Sequence, residues 1–264
     1  MNFLELIAET KQKEVKIRKS QCPASALEKS SFFLRDTLSL KSELCRAGSS
    51  GIIAEFKRRS PSHGIINLDT LPEEVCLDYV KAGSSAVSVL TDNEYFGGTS
   101  DDLVSVRKNV DCPVLRKDFI IDEYQILEAR SIGSDAILLI TELLPAGKLE
   151  KLFRFARSLG LEVLVELHDR KSMAKIPYDA EIIGINNRDL STFDVKTLKS
   201  AELICSLPQN IVKVAESGIR SAEDCLNLKK SGFNAFLIGG YFMESSEPGQ
   251  RCEKFISELN YLGS

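Results

Sequence analysis

No stretch of this 264-residue chain approaches the roughly 20 consecutive apolar residues of a membrane span. Residues 1–20 are charged and amphipathic, without the apolar core or cleavage site of a secretory leader. A cytoplasmic protein without a membrane partner is therefore expected. The chain has no C-x-x-C, and its seven cysteines are an odd number. Neither a disulfide framework nor a zinc framework is supported. Histidine is scarce: His63 and His168 stand far apart, with no partner at metal-ligand spacing, so no metal site is expected. No basic stripe stands out and the net charge is −4, which argues against nucleic acid or an anionic surface as partner. Low-complexity stretches and interdomain linkers are also missing.

What is present is a rhythm. Hydrophobic residues make up 43% and charged residues 27%, an ordinary globular composition. The length suits two average domains or one α/β barrel of about 250 residues. Short β-rich apolar runs begin near Gly51, Ala86, Pro113, Ala136, Leu161, Ile182, Ile211 and Ala235. Their spacing of roughly 20–35 residues is that of a strand–helix unit. The runs are nearly continuous rather than alternating, as parallel strands buried on both faces require. Helical patterns lie between them. Residues 72–82 open on Pro72-Glu73-Glu74, residues 122–132 on the N-cap candidate Asp122, and residues 221–231 on Ser221, with Asp224 completing a capping-box spacing. These three and a fourth at 146–159 close on Gly83, Gly133, Gly232 and Gly160, the C-cap signature.

An open doubly wound sheet would usually carry a Gly-rich fingerprint after its first strand. Here that strand is followed by Lys57-Arg58-Arg59-Ser60-Pro61-Ser62, and the count of eight favours closure. Residues 2–20 and 25–47 read as helical, broken near Cys22-Pro23. The expected architecture is α/β: one domain over residues 1–264, a (β/α)8 TIM barrel. Residues 1–48 would be an N-terminal helical extension, too short to bury a core of its own.

Five of the apolar runs end abruptly in a charged or amide side chain: Ile52-Ile53-Ala54-Glu55-Phe56-Lys57, Val114-Leu115-Arg116-Lys117, Val163-Leu164-Val165-Glu166, Ile182-Ile183-Gly184-Ile185-Asn186 and Val212-Lys213-Val214-Ala215-Glu216. In a closed parallel barrel the C-terminal strand tips form one rim, where active sites sit. Glu55 and Lys57, two apart, share a face. With Lys117, Glu166, Asn186 and Glu216 also pointing inward, the mouth would hold two ammonium groups, three carboxylates and an amide. Such charges can simply pair and fix strand ends, but burying the whole set costs several kcal/mol per ion unless compensated. Closely spaced lysines and burial lower a lysine pKa, while carboxylates push it up. A lysine tuned toward neutrality and a facing glutamate suit acid–base work on a carbonyl or hydroxyl, and a Schiff base is equally open to such a lysine. Lys213 has the opposite parity to Glu216 and should face the helices, its ammonium reaching toward the barrel bottom.

Glu216-Ser217-Gly218-Ile219 follows the seventh run and Leu237-Ile238-Gly239-Gly240 the eighth. The loops after those two strands often bind phosphate in such barrels, and glycines let backbone approach closely. Arg188 is a candidate for an anionic group on the ligand. Phe119 and Phe96 are candidates to flank an aromatic one.

In this order, Ile53-Ala54-Glu55-Phe56-Lys57-Arg58-Arg59-Ser60-Pro61-Ser62, Ser88-Val89-Leu90-Thr91 with Tyr95-Phe96, Leu115-Arg116-Lys117-Asp118-Phe119, Val165-Glu166, Gly184-Ile185-Asn186-Asn187-Arg188-Asp189-Leu190, Val214-Ala215-Glu216-Ser217-Gly218-Ile219 and Phe236-Leu237-Ile238-Gly239 resemble the motifs of indole-3-glycerol phosphate synthases. The resemblance covers about residues 51–243. It implies a lyase of tryptophan biosynthesis that needs no cofactor and closes the indole ring of a phosphosugar, 1-(2-carboxyphenylamino)-1-deoxyribulose 5-phosphate, with loss of carbon dioxide and water. Carried over by position, Lys117 looks like the acid that protonates the ketone oxygen. Glu166 and Lys57 look like the pair for dehydration, and Glu55 would orient the lysines. Asn186 and Glu216 would hold sugar hydroxyls or the lysines. Ser217, Gly218, Gly239 and Gly240 would cradle phosphate, with Ser60, Arg188 and Phe119 near the anthranilate end. Gly240 stands where the family often has serine, a lost donor costing about 1 kcal/mol of binding. A monomer is expected. The competing readings are another phosphosugar barrel (an isomerase, epimerase or Schiff-base aldolase) and a catalytically silent barrel that binds a phosphometabolite or a partner.

Overall fold

The strand tips picked out from sequence meet on one rim because the strands that carry them close into a parallel barrel. The computed structural model describes residues 3–187 and 203–263. Helices α1 (Phe3–Gln21), α2 (Ala24–Leu27) and α3 (Leu40–Cys45) precede β1 (Ile52–Phe56). There follow α4 (Pro72–Lys81), β2 (Ala86–Leu90), α5 (Ser100–Asn109), β3 (Val114–Lys117), α6 (Glu123–Ser131), β4 (Ala136–Ile140), α7 (Ala146–Ser158), β5 (Glu162–Leu167), β6 (Ile182–Asn186), β7 (Val212–Glu216), α8 (Ala222–Lys230), β8 (Ala235–Ile238), α9 (Gly240–Met243) and α10 (Pro248–Gly263). Each strand is parallel to its neighbours, and β1 pairs with both β2 and β8. Closure leaves the barrel with no edge.

Alternation along each strand sorts the side chains. Ile53, Leu115, Leu138, Leu164, Val214 and Leu237 fill the interior, while Ile52, Ala54, Val87, Val89 and Phe236 pack outward against the helices. This is why the runs read as continuously apolar. Register then aligns the tips: Leu90 lies beside Lys117, Ile140 beside Glu166, and Asn186 beside Glu216. Lys213 is buried on the outward face, as its parity predicts. Its backbone N–H donates to Asn234 Oδ1 at 2.8 Å.

The helix punctuation also holds. Asp122 with Gln125, and Ser221 with Asp224, form complete capping boxes. Gly83, Gly133, Gly160 and Gly232, which follow the four helices, have positive φ. Sequence reading missed α5 and α10, although Thr99 and Asp102 make a third capping box.

The N-terminal extension departs from expectation. Residues 25–47 are not one helix but two short ones, α2 and α3, joined by turns and extended chain. The reason lies in the barrel beneath. Across this segment Ser30 Oγ donates to Ser131 O, Leu38 N–H to Asp135 Oδ1, Thr37 Oγ1 to Gly160 O and Ser39 Oγ to Glu162 Oε1. Those bonds to the bottom of the barrel replace helical ones. The extension thus straps the molecule from end to end. At the top, α1 places Phe3, Leu4 and Ile7 against Tyr95, Phe96 and Phe119. At the bottom, α3 seats Leu40 and Leu44 among Ile53, Ala86, Ile182 and Val212. Each fully buried leucine contributes about 1.5–3 kcal/mol.

Candidate active site

The rim encloses a cavity of about 320 Å³, within the range of small-molecule sites. Its lining combines Glu55, Lys57, Lys117, Glu166, Asn186 and Glu216 with apolar Leu90, Leu138, Ile140 and Leu237. All six rim residues expected from sequence therefore converge.

Lys117 is the hub. Its Nζ lies 3.0 Å from Glu166 Oε2 and 2.6 Å from Glu216 Oε2. Asn186 Nδ2 donates to Glu166 Oε1 at 3.2 Å. Lys57 Nζ stands apart from this triad and pairs with Glu55 Oε1 at 2.8 Å. Two inward-facing glycines make the room. A Cβ on Gly184 would overlap the Glu216 carboxylate, and one on Gly239 would lie 2.5 Å from Glu55 Oε1. Gly239, expected as a phosphate contact, thus also seats a carboxylate. Gly184 was missed, although its parity with Asn186 puts it on the inner face.

Among the described strand-tip residues charge is unbalanced: two ammonium groups face three carboxylates. Burial would lower the Lys117 pKa, but Glu166, Glu216 and Glu55 outweigh it and hold the ammonium well above its ordinary value. Downward tuning of this lysine is therefore not what the site does. Glu166 and Glu216 share one cation and repel each other. Burial, reinforced by the Glu166 charge, pushes Glu216 up to about 8. Burial also opposes ionisation of Glu166, but Lys117 and His168 overcome it and hold this carboxyl below its ordinary range. One proton thus resides on the pair near neutral pH.

At one end of the cavity are Ser217, Gly218, Gly239 and Gly240. Ser217 adopts φ 68° and Gly218 φ 80°. A left-handed serine costs roughly 1–2 kcal/mol, and Asn187 holds it by donating from Nδ2 to Ser217 O at 3.1 Å. Lys57 reaches this end: a Cβ on Gly240 would lie 4.0 Å from its Cε. Elsewhere on the lining stand Ser60, Phe96, Phe119 and, from α1, Phe3. Phe119 meets Phe96 with ring centroids 6.1 Å apart, making an aromatic wall. Arg188 lies outside the described residues.

Sequence reading also missed two structures beside this site. His168 sits behind Glu166, with Nε2 3.4 Å from Glu166 Oε1. Shared parity with Glu166 at the same strand end was the available signal. The other is an outward ion network in which Lys11 of α1 reaches Asp92 at 2.6 Å and Asp118 at 3.0 Å. Nothing local in sequence joins residues so far apart.

A family model described as indole-3-glycerol phosphate synthase matches residues 4–255. A relative of that name from Bacteroides thetaiotaomicron is 42% identical over 258 residues, spanning 98% of this chain and 99% of its own length. Another from Carboxydothermus hydrogenoformans is 40% identical, over 97% of this chain and 100% of its own. Among solved structures, thiamine phosphate pyrophosphorylase from Pyrococcus furiosus is similar in fold, with a TM-score of 0.61 at 14% identity over 86% of this chain and 100% of that one. Tryptophan synthase subunit alpha from Legionella pneumophila also has a TM-score of 0.61, at 13% identity over 84% and 97%.

Proposed function

The chain belongs to the indole-3-glycerol phosphate synthase family, and we propose that it closes the indole ring by acid–base catalysis centred on Lys117. The overall reaction converts 1-(2-carboxyphenylamino)-1-deoxyribulose 5-phosphate to indole-3-glycerol phosphate, carbon dioxide and water. It is a lyase step of tryptophan biosynthesis.

Ring closure needs the aromatic carbon to attack the ketone, and negative charge develops on the ketone oxygen. Lys117 supplies the proton there. Its elevated pKa keeps it protonated at working pH, and the alkoxide it meets is a still stronger base, so transfer runs downhill. Loss of carbon dioxide then restores aromaticity. Dehydration removes the former ketone oxygen as water and takes a proton from a ring-bound atom. Glu166, held as a carboxylate, is the base we assign, with Lys57 as the acid. Glu55 keeps Lys57 in place at 2.8 Å, while Asn186 and Glu216 orient Glu166 and Lys117.

The apolar lining and the aromatic wall of Phe96 and Phe119 suit the anthranilate ring, with Ser60 beside it. The turn of Ser217 and Gly218, Gly239, Gly240 and the Lys57 ammonium suit the phosphate. Lys57 compensates in charge for the hydroxyl that Gly240 lacks. Arg188 is assigned to the substrate carboxylate from the family motif alone. Every group in this scheme comes from one chain, so a monomer is sufficient. No helix among the described residues is long and apolar enough to cross a membrane, which accords with work in the cytoplasm.

The observation that carries this reading is the contact of one ammonium with two carboxylates on the floor of an apolar-walled cavity. Incubation with the carboxyphenylamino substrate tests it directly. The chain has no tryptophan, so indole fluorescence rising with turnover reports product without an indole background. Turnover that leaves the substrate carboxylate intact would favour an isomerase, and borohydride trapping of a lysine adduct would favour an aldolase.

A further inference from the structure

Glu166 is gripped from behind as well as from the cavity. Its Oε2 faces Lys117 at 3.0 Å, while its Oε1 faces Asn186 Nδ2 at 3.2 Å and His168 Nε2 at 3.4 Å. The other ring nitrogen of His168, Nδ1, lies 3.0 Å from Glu142 Oε2. Glu142 Oε1 accepts the His168 backbone N–H at 3.0 Å, so each oxygen of that carboxylate meets His168. His168 does not line the cavity, and its Nε2 has no hydrogen-bond partner among the described residues. It is a buried nitrogen whose ion-pair contact among the described residues is the base.

We infer that His168, clamped by Glu142, is a positioning residue that holds Glu166 ionised and aimed at the substrate during dehydration. This rests on the assignment of Glu166 as the base.

The chemistry favours a doubly protonated ring. Two carboxylates flank one imidazole, one hydrogen-bonded at Nδ1 and the other 3.4 Å from Nε2, so a ring protonated on both nitrogens sets positive charge between them. The groups facing the ring are Glu142 from the connection after β4, Glu166 from its own strand, and Glu216 from β7 through space, with Lys117 of β3 beyond Glu166. The nearby Lys175 ammonium is committed to the Thr141 and Leu144 carbonyls. Burial opposes the charged ring, but the Glu142 bond and the charges of Glu166, Glu142 and Glu216 outweigh it and raise the His168 pKa. An imidazolium there lowers the Glu166 pKa in return. The surroundings fix the geometry: Thr141 N–H donates to Glu166 O at 3.0 Å, and Thr141 Oγ1 donates to Glu142 Oε2 at 2.9 Å. The connection that carries Glu142 is thereby tied to the strand that carries the base.

The test compares His168→Gln and Glu142→Gln with the parent enzyme across pH, once urea melts have shown each variant folded. In both variants kcat should fall by roughly 10- to 100-fold, below the roughly 10²–10⁴-fold of a general base itself. KM should stay within about threefold. The acidic limb of the kcat profile should move to higher pH, because Glu166 loses the positive neighbour that keeps it ionised. On a Glu166→Gln background, His168→Gln should cost almost nothing further.

Unchanged pH limbs in both folded variants, or a full additional loss on the Glu166→Gln background, would overturn the inference while leaving Glu166 as the base. Full activity of Glu166→Gln alone would overturn both. A readout without mutation is nitrogen NMR of the parent protein, which has two histidines to assign. At pH 7 His168 should show both ring nitrogens protonated, and a neutral ring would contradict the assignment.

Discussion

Arg116 and Lys117 are adjacent in sequence, yet they belong to two buried ion networks of opposite character. Arg116 points outward and is fully buried. Its Nε donates to Thr91 Oγ1, Nη1 to Gln125 O and Nη2 to Asp118 Oδ2. Asp118 also meets Lys11, which reaches Asp92 as well. The network runs on through Glu14, which meets Lys11 and Arg18, and Glu128, which meets Arg116 and Arg18, so every carboxylate in it is held by a cation. Lys11 and Arg116 hold Asp118 well below the ordinary carboxylate range despite its burial, while burial pushes Asp92 above that range even with Lys11 beside it. Lys117 points inward, where two ammonium groups face three carboxylates and one of those is pushed up rather than down. The outward network is closed by its own ion pairs and hydrogen bonds and pins α1 to the barrel. The inward one is left with a surplus and an open cavity. A network closed within packed protein builds architecture, whereas one that opens on a cavity can pass protons to a bound molecule, as acid–base chemistry requires.

Substitutions at matching places should separate the two. The largest effect is expected from Lys117→Met. Its kcat should fall by at least the roughly 10²–10⁴-fold of one general acid, while the urea midpoint moves little, because the freed carboxylates can take up protons. Lys11→Met should show the reverse pattern. Asp92 and Asp118 would be left buried without their shared cation, costing about 3–5 kcal/mol of stability in urea titrations. KM should rise, since Phe3 on the same helix lines the cavity, but kcat should be largely retained. Gly184→Ala is subtler. Its methyl would overlap the Glu216 carboxylate, costing about 1–3 kcal/mol and lowering kcat by displacing a partner of Lys117.

The smallest effect concerns pH. The folded state keeps a proton on Glu216 between its ordinary 4.5 and about 8. The unfolded chain binds fewer protons across that window, so stability should decline as pH rises through it. Glu216→Gln, which mimics the protonated form, should flatten that decline in melts recorded as a function of pH.

Most of the inward network was legible in sequence and almost none of the outward one was. Strand parity places Glu55 with Lys57, and abrupt polar ends to apolar runs identify Lys117, Glu166, Asn186 and Glu216. Both signals are local. The same parity applied to Glu166 reaches His168, and applied to Asn186 it reaches Gly184, so those omissions were recoverable. Lys11 was not recoverable, because its partners lie some 80 to 107 residues away and only the docking of α1 brings them together. The broken helix at residues 25–47 fails for a related reason: the bonds that unwind it go to Ser131, Asp135, Gly160 and Glu162. Local pattern specified the barrel, and the strap that wraps it was written in long-range partners.

Infrared difference spectroscopy of the free enzyme across pH 6 to 9, in the parent and in Glu216→Gln, tests the surplus of charge at the rim most directly. A protonated carboxyl band should be present at the acidic end in the parent, vanish with an apparent pKa near about 8, and be missing from Glu216→Gln. Fully ionised carboxylates at pH 6 in the parent would contradict the mismatch on which the proposed chemistry depends.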